Sequence, residues 1–176
     1  MQQIILGNVF MLISATSMIA SGLPKTKRNS LIFQFIDSVS ATIGLFLLGS
    51  FAGSLVCVFS IITDILCYKE KLNKTTKPII IVLCVVTSLL VNNIGIYGFL
   101  PIAAFIITTY TMSTKNMYKY KFAFLIAIVL WLIHDISISS YVDIVCDALF
   151  FVAIIIGIYR LKKNKHDIIN HNITKH

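Results

Sequence analysis

Apolar residues fill this chain in runs of about 20, each long enough at roughly 1.5 Å per residue to cross a hydrocarbon core of about 30 Å. The runs cover 4 to 22, 30 to 49, 51 to 68, 78 to 95, 97 to 113, 122 to 140 and 141 to 161, which predicts seven membrane-spanning helices. Two of the breaks are so short that hydropathy alone would fuse their neighbours, at Leu48-Gly49-Ser50-Phe51 and at Ser139-Ser140-Tyr141. Charge separates them. All 15 Lys and Arg residues lie in four clusters: Lys25 to Arg28, Lys69 to Lys77, Lys115 to Lys121, and Arg160 to Lys175. The connections near Gly49, Ile94 and Ser139 hold none, so basic and charge-poor connections alternate strictly. Lys and Arg are retained on the cytoplasmic side during insertion. The alternation therefore predicts an N-terminus outside, a C-terminus in the cytoplasm and an odd number of spans.

Composition acts mainly by exclusion. Hydrophobic residues make up 57% of the chain and charged residues 12%, where a soluble domain has about 25% charged residues. The whole chain, 1–176, reads as a single membrane domain with its activity within or between the helices. The net charge of +8 follows the inner face, where anionic lipid headgroups attract it, so nucleic acid is not an expected partner. The start Met1-Gln2-Gln3 lacks the basic region of a cleaved signal peptide, and the first run is expected to be retained as a span. Cys57, Cys67, Cys84 and Cys146 sit singly in apolar runs, without the spacing of a metal site or redox pair, and read as small apolar side chains. No GxGxxG, Walker, HExxH or GxSxG pattern occurs. Neither catalysis, nor a metal, nor a cofactor is expected.

Displacing the chain by about 90 residues lays Lys25 to Arg28 on Lys115 to Tyr118, and Ser50 to Cys57 near Ser140 to Cys146. Spans 1 to 3 then correspond to spans 5 to 7, and one linker span restores orientation, so the two halves are parallel. The expected plan is 3+1+3: a first three-helix bundle in 1–68, a linker helix in 78–95, a second bundle in 97–161, and a basic cytoplasmic tail, polar and without regular structure, in 162–176. Parallel repeats about an axis along the membrane normal are the arrangement of SWEET transporters, whose substrate path runs between the repeats.

Several short runs resemble the bacterial inner-membrane YgjV family. They are Leu31-Ile32-Phe33-Gln34-Phe35-Ile36, Phe46 to Gly53, Leu100-Pro101-Ile102, Trp131-Leu132-Ile133-His134-Asp135 and Ile155 to Arg160, spread over roughly residues 7 to 161. The resemblance implies an all-α membrane protein similar in size and topology to PQ-loop and SWEET-like proteins, and it implies a fold more than an activity. The chain has no Pro-Gln dipeptide; Pro24-Lys25 stands nearest to one, which leaves a PQ-loop rocking mechanism without its motif.

Polar residues within apolar spans are costly, a central carboxylate costing about 2.5 to 3.5 kcal/mol on insertion scales. Asp37 is the deepest. With Ser30, Gln34, Ala41 and Gly44 it is spaced by threes and fours, hence on one helical face, and a polar, small face in lipid must look toward other helices or water. Asp37 is either a proton, cation or solute site, or a structural carboxyl bonded to a neighbouring hydroxyl. Toward the outer side come His134, Asp135, Asn92 and Asn93, with Asp143 and Asp147 at i, i+4 on one face. Without Lys or Arg there, that mouth favours cations or neutral polar solutes. Trp131 either stacks on a solute ring or packs against lipid and core. Asp64 reads as an interfacial acid, hydrated or linked to Lys69. His166, His171 and His176 recur every five residues in the tail, which does not gather them on one face. The expected solute contacts are Asp37, Gln34, Trp131, His134 and Asp147. The expected function is a transporter or facilitator of a small neutral or cationic solute, the alternative being a membrane interaction or accessory subunit. The bilayer, a small polar solute and further copies of the chain are the expected partners.

Overall fold

A computed structural model describes residues 2–112, 114, 116–137 and 141–173. Hydrocarbon offers no partner for a bare peptide group, so a spanning segment must satisfy its backbone internally. The described residues accordingly fold into helices: α1 (Gln2–Gly22), α2 (Lys27–Leu47), α3 (Phe51–Tyr68), α4 (Thr76–Leu90), α5 (Phe99–Met112), α6 (Met117–Ser137) and α7 (Tyr141–Ile173), with a 3₁₀ turn at Gly95–Gly98 before α5. Turn chemistry sets several boundaries. Gly49, with φ of +82°, reverses the chain between α2 and α3 in a conformation that side chains with a Cβ rarely adopt. Asn73 accepts from the amides of Thr75 and Thr76 at 2.9 and 2.8 Å at the start of α4, and Asn116 accepts from Tyr118 and Lys119 at the start of α6.

Among the described residues six segments are long and apolar enough to cross a membrane, the fourth joining the 3₁₀ turn to α5. The expected span 78 to 95 is the exception. It is realised as the 15-residue α4, about 22 Å long at 1.5 Å per residue and shorter than a hydrocarbon core. The helix stops because Asn92 folds the chain back: its Oδ1 accepts from Ile94 N at 3.1 Å, and its Nδ2 donates to the Gly95 carbonyl at 2.9 Å. The second departure is at the other end of the chain. α7 continues to Ile173 through the segment expected to be an irregular polar tail, with no Gly or Pro after Gly157 to stop it. The connection at Ser139 and Ser140 lies outside the described residues, as do the side chains of His166, His171 and His176.

Neighbouring helices pack α1 on α2, α2 on α3, α3 on α5, α5 on α6, α6 on α7, and α7 back on α1, so six helices close a ring. α4 joins the ring between α3 and α5. Apolar side chains such as Ile5, Leu12, Val82, Leu90 and Leu149 cover the exterior, and Ser14, Gln34, Thr63 and Asp64 are buried inside it. Lipid supplies little drive for apolar helix faces to meet, so close approach and buried polar bonds hold the ring. At the α1–α7 contact, a Cβ on Gly157 would fall against the carbonyl oxygen of Gly22.

The shift of about 90 residues carries Lys27 onto Met117 and Phe51 onto Tyr141, the first residues of α2 and α6 and of α3 and α7. Two lysines reach across to carbonyls of other helices at the end of the ring that bears the basic clusters. Lys121 of α6 donates to the Gly22 carbonyl at the end of α1, and Lys27 of α2 donates to the Thr114 carbonyl beyond α5 at 3.5 Å. A helix C-terminus presents unpaired carbonyls and a partial negative charge, which a lysine satisfies together.

Candidate functional site

Inside the ring lies a cavity with about 150 Å³ of space for a water-sized sphere. At the roughly 30 Å³ a water occupies in the liquid, that holds about five waters or a solute of comparable size. α1, α2, α3, α5, α6 and α7 all contribute lining residues. The stripe Ser30, Gln34, Asp37, Ala41 and Gly44 does turn inward: four are buried, and Asp37 is half-buried on the cavity wall.

Five carboxyls line this space at different depths. Asp143 stands in the first turn of α7 and Asp147 one turn deeper, at the lysine-free end. Asp135 is two residues from the end of α6 and reaches the same region. The Asp135 and Asp147 side chains lie within hydrogen-bond reach of each other, and Asp143 interacts electrostatically with both. Two carboxyls in this arrangement can share a proton, since ionised carboxylates only accept. Asp37, mid-way along α2, accepts from Ser14 Oγ at 2.5 Å. Asp64, one turn from the basic end of α3, accepts from Ser38 Oγ at 3.4 Å through Oδ2, while its buried Oδ1 has no hydrogen-bond partner. Asp147 Oδ2 is likewise buried without a partner.

At the basic end the cavity has a bonded floor. Tyr120 donates to Gln34 Oε1 at 2.7 Å, Gln34 Nε2 donates to Ser30 Oγ at 3.4 Å, and Ser30 donates to the Ser21 carbonyl at 2.7 Å. This chain ties α6, α2 and α1 together. Lys27 lies 5.5 Å from the centre of the Tyr120 ring, a cation–π contact on the far side of the floor.

Over residues 5–165 the sequence matches the model of Imp-YgjV, described as bacterial inner membrane protein. The chain belongs to the Imp-YgjV family. It is therefore a multi-pass protein of the bacterial inner membrane, in accord with its six long apolar segments. No curated protein and no solved structure matches this Imp-YgjV chain.

Four of the five expected contacts, Gln34, Asp37, Trp131 and Asp147, line the one cavity. His134 does not. It is buried against the Gly95–Gly98 turn, where Nδ1 meets the Tyr97 carbonyl at 3.0 Å and the ring lies edge-to-face with Trp131 at 5.7 Å. Adjacent helical residues point about 100° apart, and Asp135, next in sequence, is the one that reaches the cavity. Asp64 is the other correction. In place of a hydrated interfacial acid, it is 2% exposed among inward-facing side chains. The sequence does not single out Ser14, because α1 carries several hydroxyls and only packing on α2 selects the one that meets Asp37. Among the described residues no group of three or more His, Cys, Asp or Glu side chains is placed to hold a metal ion.

Proposed function

We propose that this chain carries a small neutral or cationic polar solute across the inner membrane, as a non-enzymatic transporter or facilitator of 3+1+3, SWEET-like plan. One observation carries the reading: Gln34 and Asp37 from the first half and Trp131 and Asp147 from the second line a single cavity. An accessory subunit whose polar residues merely fix packing has no need of such a space.

Three further features support it. The matching starts of α2 with α6 and of α3 with α7, and the reach of Lys27 and Lys121 to carbonyls of other helices, favour a parallel repeat whose interface is the solute path. No lysine or arginine lines the cavity among the described residues, so carboxyls and hydroxyls set its charge and disfavour anions. Phe105, Phe124, Phe150 and Trp131 add aromatic wall, suited to the apolar side of a small amphipathic solute. With the basic clusters in the cytoplasm, the bonded floor is the cytoplasmic closure and the acid-bearing end faces outward.

The test is the melting temperature of the purified protein against sugars, amino acids, nucleosides and organic and inorganic cations. A ligand at 100 times its dissociation constant adds about 2.7 kcal/mol. The reading predicts a shift with one chemical class that is lost in Asp37→Asn or Trp131→Ala. Silence across all classes would move the chain to the accessory role.

A further inference from the structure

The carboxyls in the cavity exceed what solute contact alone calls for, and their arrangement is directional. Along the ring axis they run from Asp143, Asp135 and Asp147 at the lysine-free end, through Asp37 at mid-depth, to Asp64 near the basic end. At about 1.5 Å per residue, Asp147 lies about 9 Å below the start of α7, Asp37 about 15 Å from either end of α2, and Asp64 about 6 Å from the basic end of α3. Consecutive members sense each other: Asp147 interacts electrostatically with Asp37, and Asp37 with Asp64.

Two of these acids carry a buried oxygen that receives no hydrogen bond from a donor group among the described residues. Asp147, 5% exposed, has Oδ2 without a partner, and Asp64, 2% exposed, has Oδ1 without one. Buried polar atoms are nearly always bonded, and an orphan requires a reason. A metal is a poor fit, because no group of three ligating side chains converges among the described residues. A proton fits. It is what the Asp135–Asp147 contact needs in order to exist, and a carboxyl holding it can donate as well as accept.

We infer that the proton is a ligand of this cavity: Asp135 and Asp147 share one, and Asp37 and Asp64 continue a carboxyl path from them toward the basic end. A proton leaving the pair is handed through water in the cavity to the Asp37 carboxylate, whose other oxygen keeps the Ser14 hydrogen bond, and through water again from Asp37 to Asp64, since helix rise alone sets these acids several Å apart along the axis. Each acceptor becomes the next donor, and the pair refills from water at the half-exposed Asp143. The groups facing the path are few. Asp147 lies within hydrogen-bond reach of Asp135 on α6 and within electrostatic range of Asp143 on its own helix and Asp37 on α2, with Cys146 beside it. Asp64 accepts from Ser38 and lies within electrostatic range of Asp37 on α2, Cys57 and Cys67 on its own helix and Tyr120 on α6, with Lys27 of α2 beside Cys67. The nearest buried cation on α6, Lys121, is turned away to the Gly22 carbonyl. The inference rests on the reading of the cavity as a solute path and names its coupling ion.

The test uses the full chain in lipid and two readouts. Infrared spectra at neutral pH should contain a protonated-carboxyl stretch that moves on transfer to D2O. One component of it should vanish in both Asp135→Asn and Asp147→Asn, since either amide removes the same shared proton. In vesicles loaded with a pH dye, a potassium diffusion potential, negative inside, should drive acidification above that of protein-free vesicles. That flux should fall at least tenfold in Asp37→Asn and in Asp147→Asn, variants of unchanged side-chain volume whose folding is checked by melting. A neutral-pH spectrum without the shared component, or wild-type flux equal to empty vesicles, would overturn the inference. Solute-dependent melting shifts without proton flux would remove the path and leave the carrier. Flux with a silent solute screen would keep the path and remove the carrier.

Discussion

At its basic end the six-helix ring closes on partnered groups: Tyr120 with Gln34, Ser30 with the Ser21 carbonyl, Lys121 with Gly22 and Lys27 with Thr114. Inside the ring, Ser50 Oγ, His134 Nε2 and Asp147 Oδ2 toward the lysine-free end, and Asp64 Oδ1 and Thr109 Oγ1 nearer the basic end, are buried without a partner among the described residues. The comparison separates two uses of polarity in lipid. One set of groups is spent on holding helix termini together, and the other is left with unused capacity, as a site that receives something must be. The bonds at the helix termini of the basic end should therefore contribute most to stability, and the unpartnered cavity acids least.

Substitutions can break that contrast in graded steps. The largest effect is expected from Gly157→Leu, which drives a side chain into the Gly22 carbonyl and the Lys121 chain at the α1–α7 contact. Forcing extra atoms into a closed contact costs about 1 to 3 kcal/mol, and with backbone as the obstacle the upper end is expected, read as a lowered melting temperature. Lys121→Met should follow, at about 2 kcal/mol, because it strips the Gly22 carbonyl of a charged donor in a buried place. Tyr120→Phe leaves Gln34 Oε1 without its donor and should cost about 1 kcal/mol, as interhelical hydrogen bonds in membranes are worth only about 0.6 to 2 kcal/mol. At the other end, Asp147→Asn should change stability by less than about 0.5 kcal/mol, since the amide can donate to Asp135 without a shared proton. It should flatten the pH dependence of uptake. If Asp147→Asn instead destabilised the protein as much as Lys121→Met, the two ends would be equally structural and the contrast would fail.

The membrane architecture was legible because two independent periodicities agree. Apolar run length gives the spans, and lysine alternation splits runs that hydropathy would join at Gly49, where the structure has a positive-φ turn. The length of α4 was not legible, because its end depends on the Asn92 side chain folding back on the 3₁₀ turn and not on hydropathy. Asp37 could be found from its own helix, since four small or polar neighbours share its face. Asp64 could not. Counting residues from the helix end gives axial depth, while its burial comes from the direction its face takes into the ring. His134 and Asp135 illustrate the same limit: the polarity of the pair marked the region, and only the packing of α6 on the 3₁₀ turn and α7 decides which of them faces the cavity.

The central claim, that water and a solute reach the interior of this ring from the lysine-free side, can be tested without knowing the solute. In a cysteine-free background, Ser60→Cys and Thr108→Cys place thiols on the cavity wall in α3 and α5, and Ile62→Cys places one on the lipid-facing surface. A membrane-impermeant thiol reagent added from outside should modify the first two and leave the third unlabelled. Labelling absent at Ser60→Cys and Thr108→Cys, while a control thiol at the exposed Asn93 reacts, would mean a sealed interior and would contradict the account.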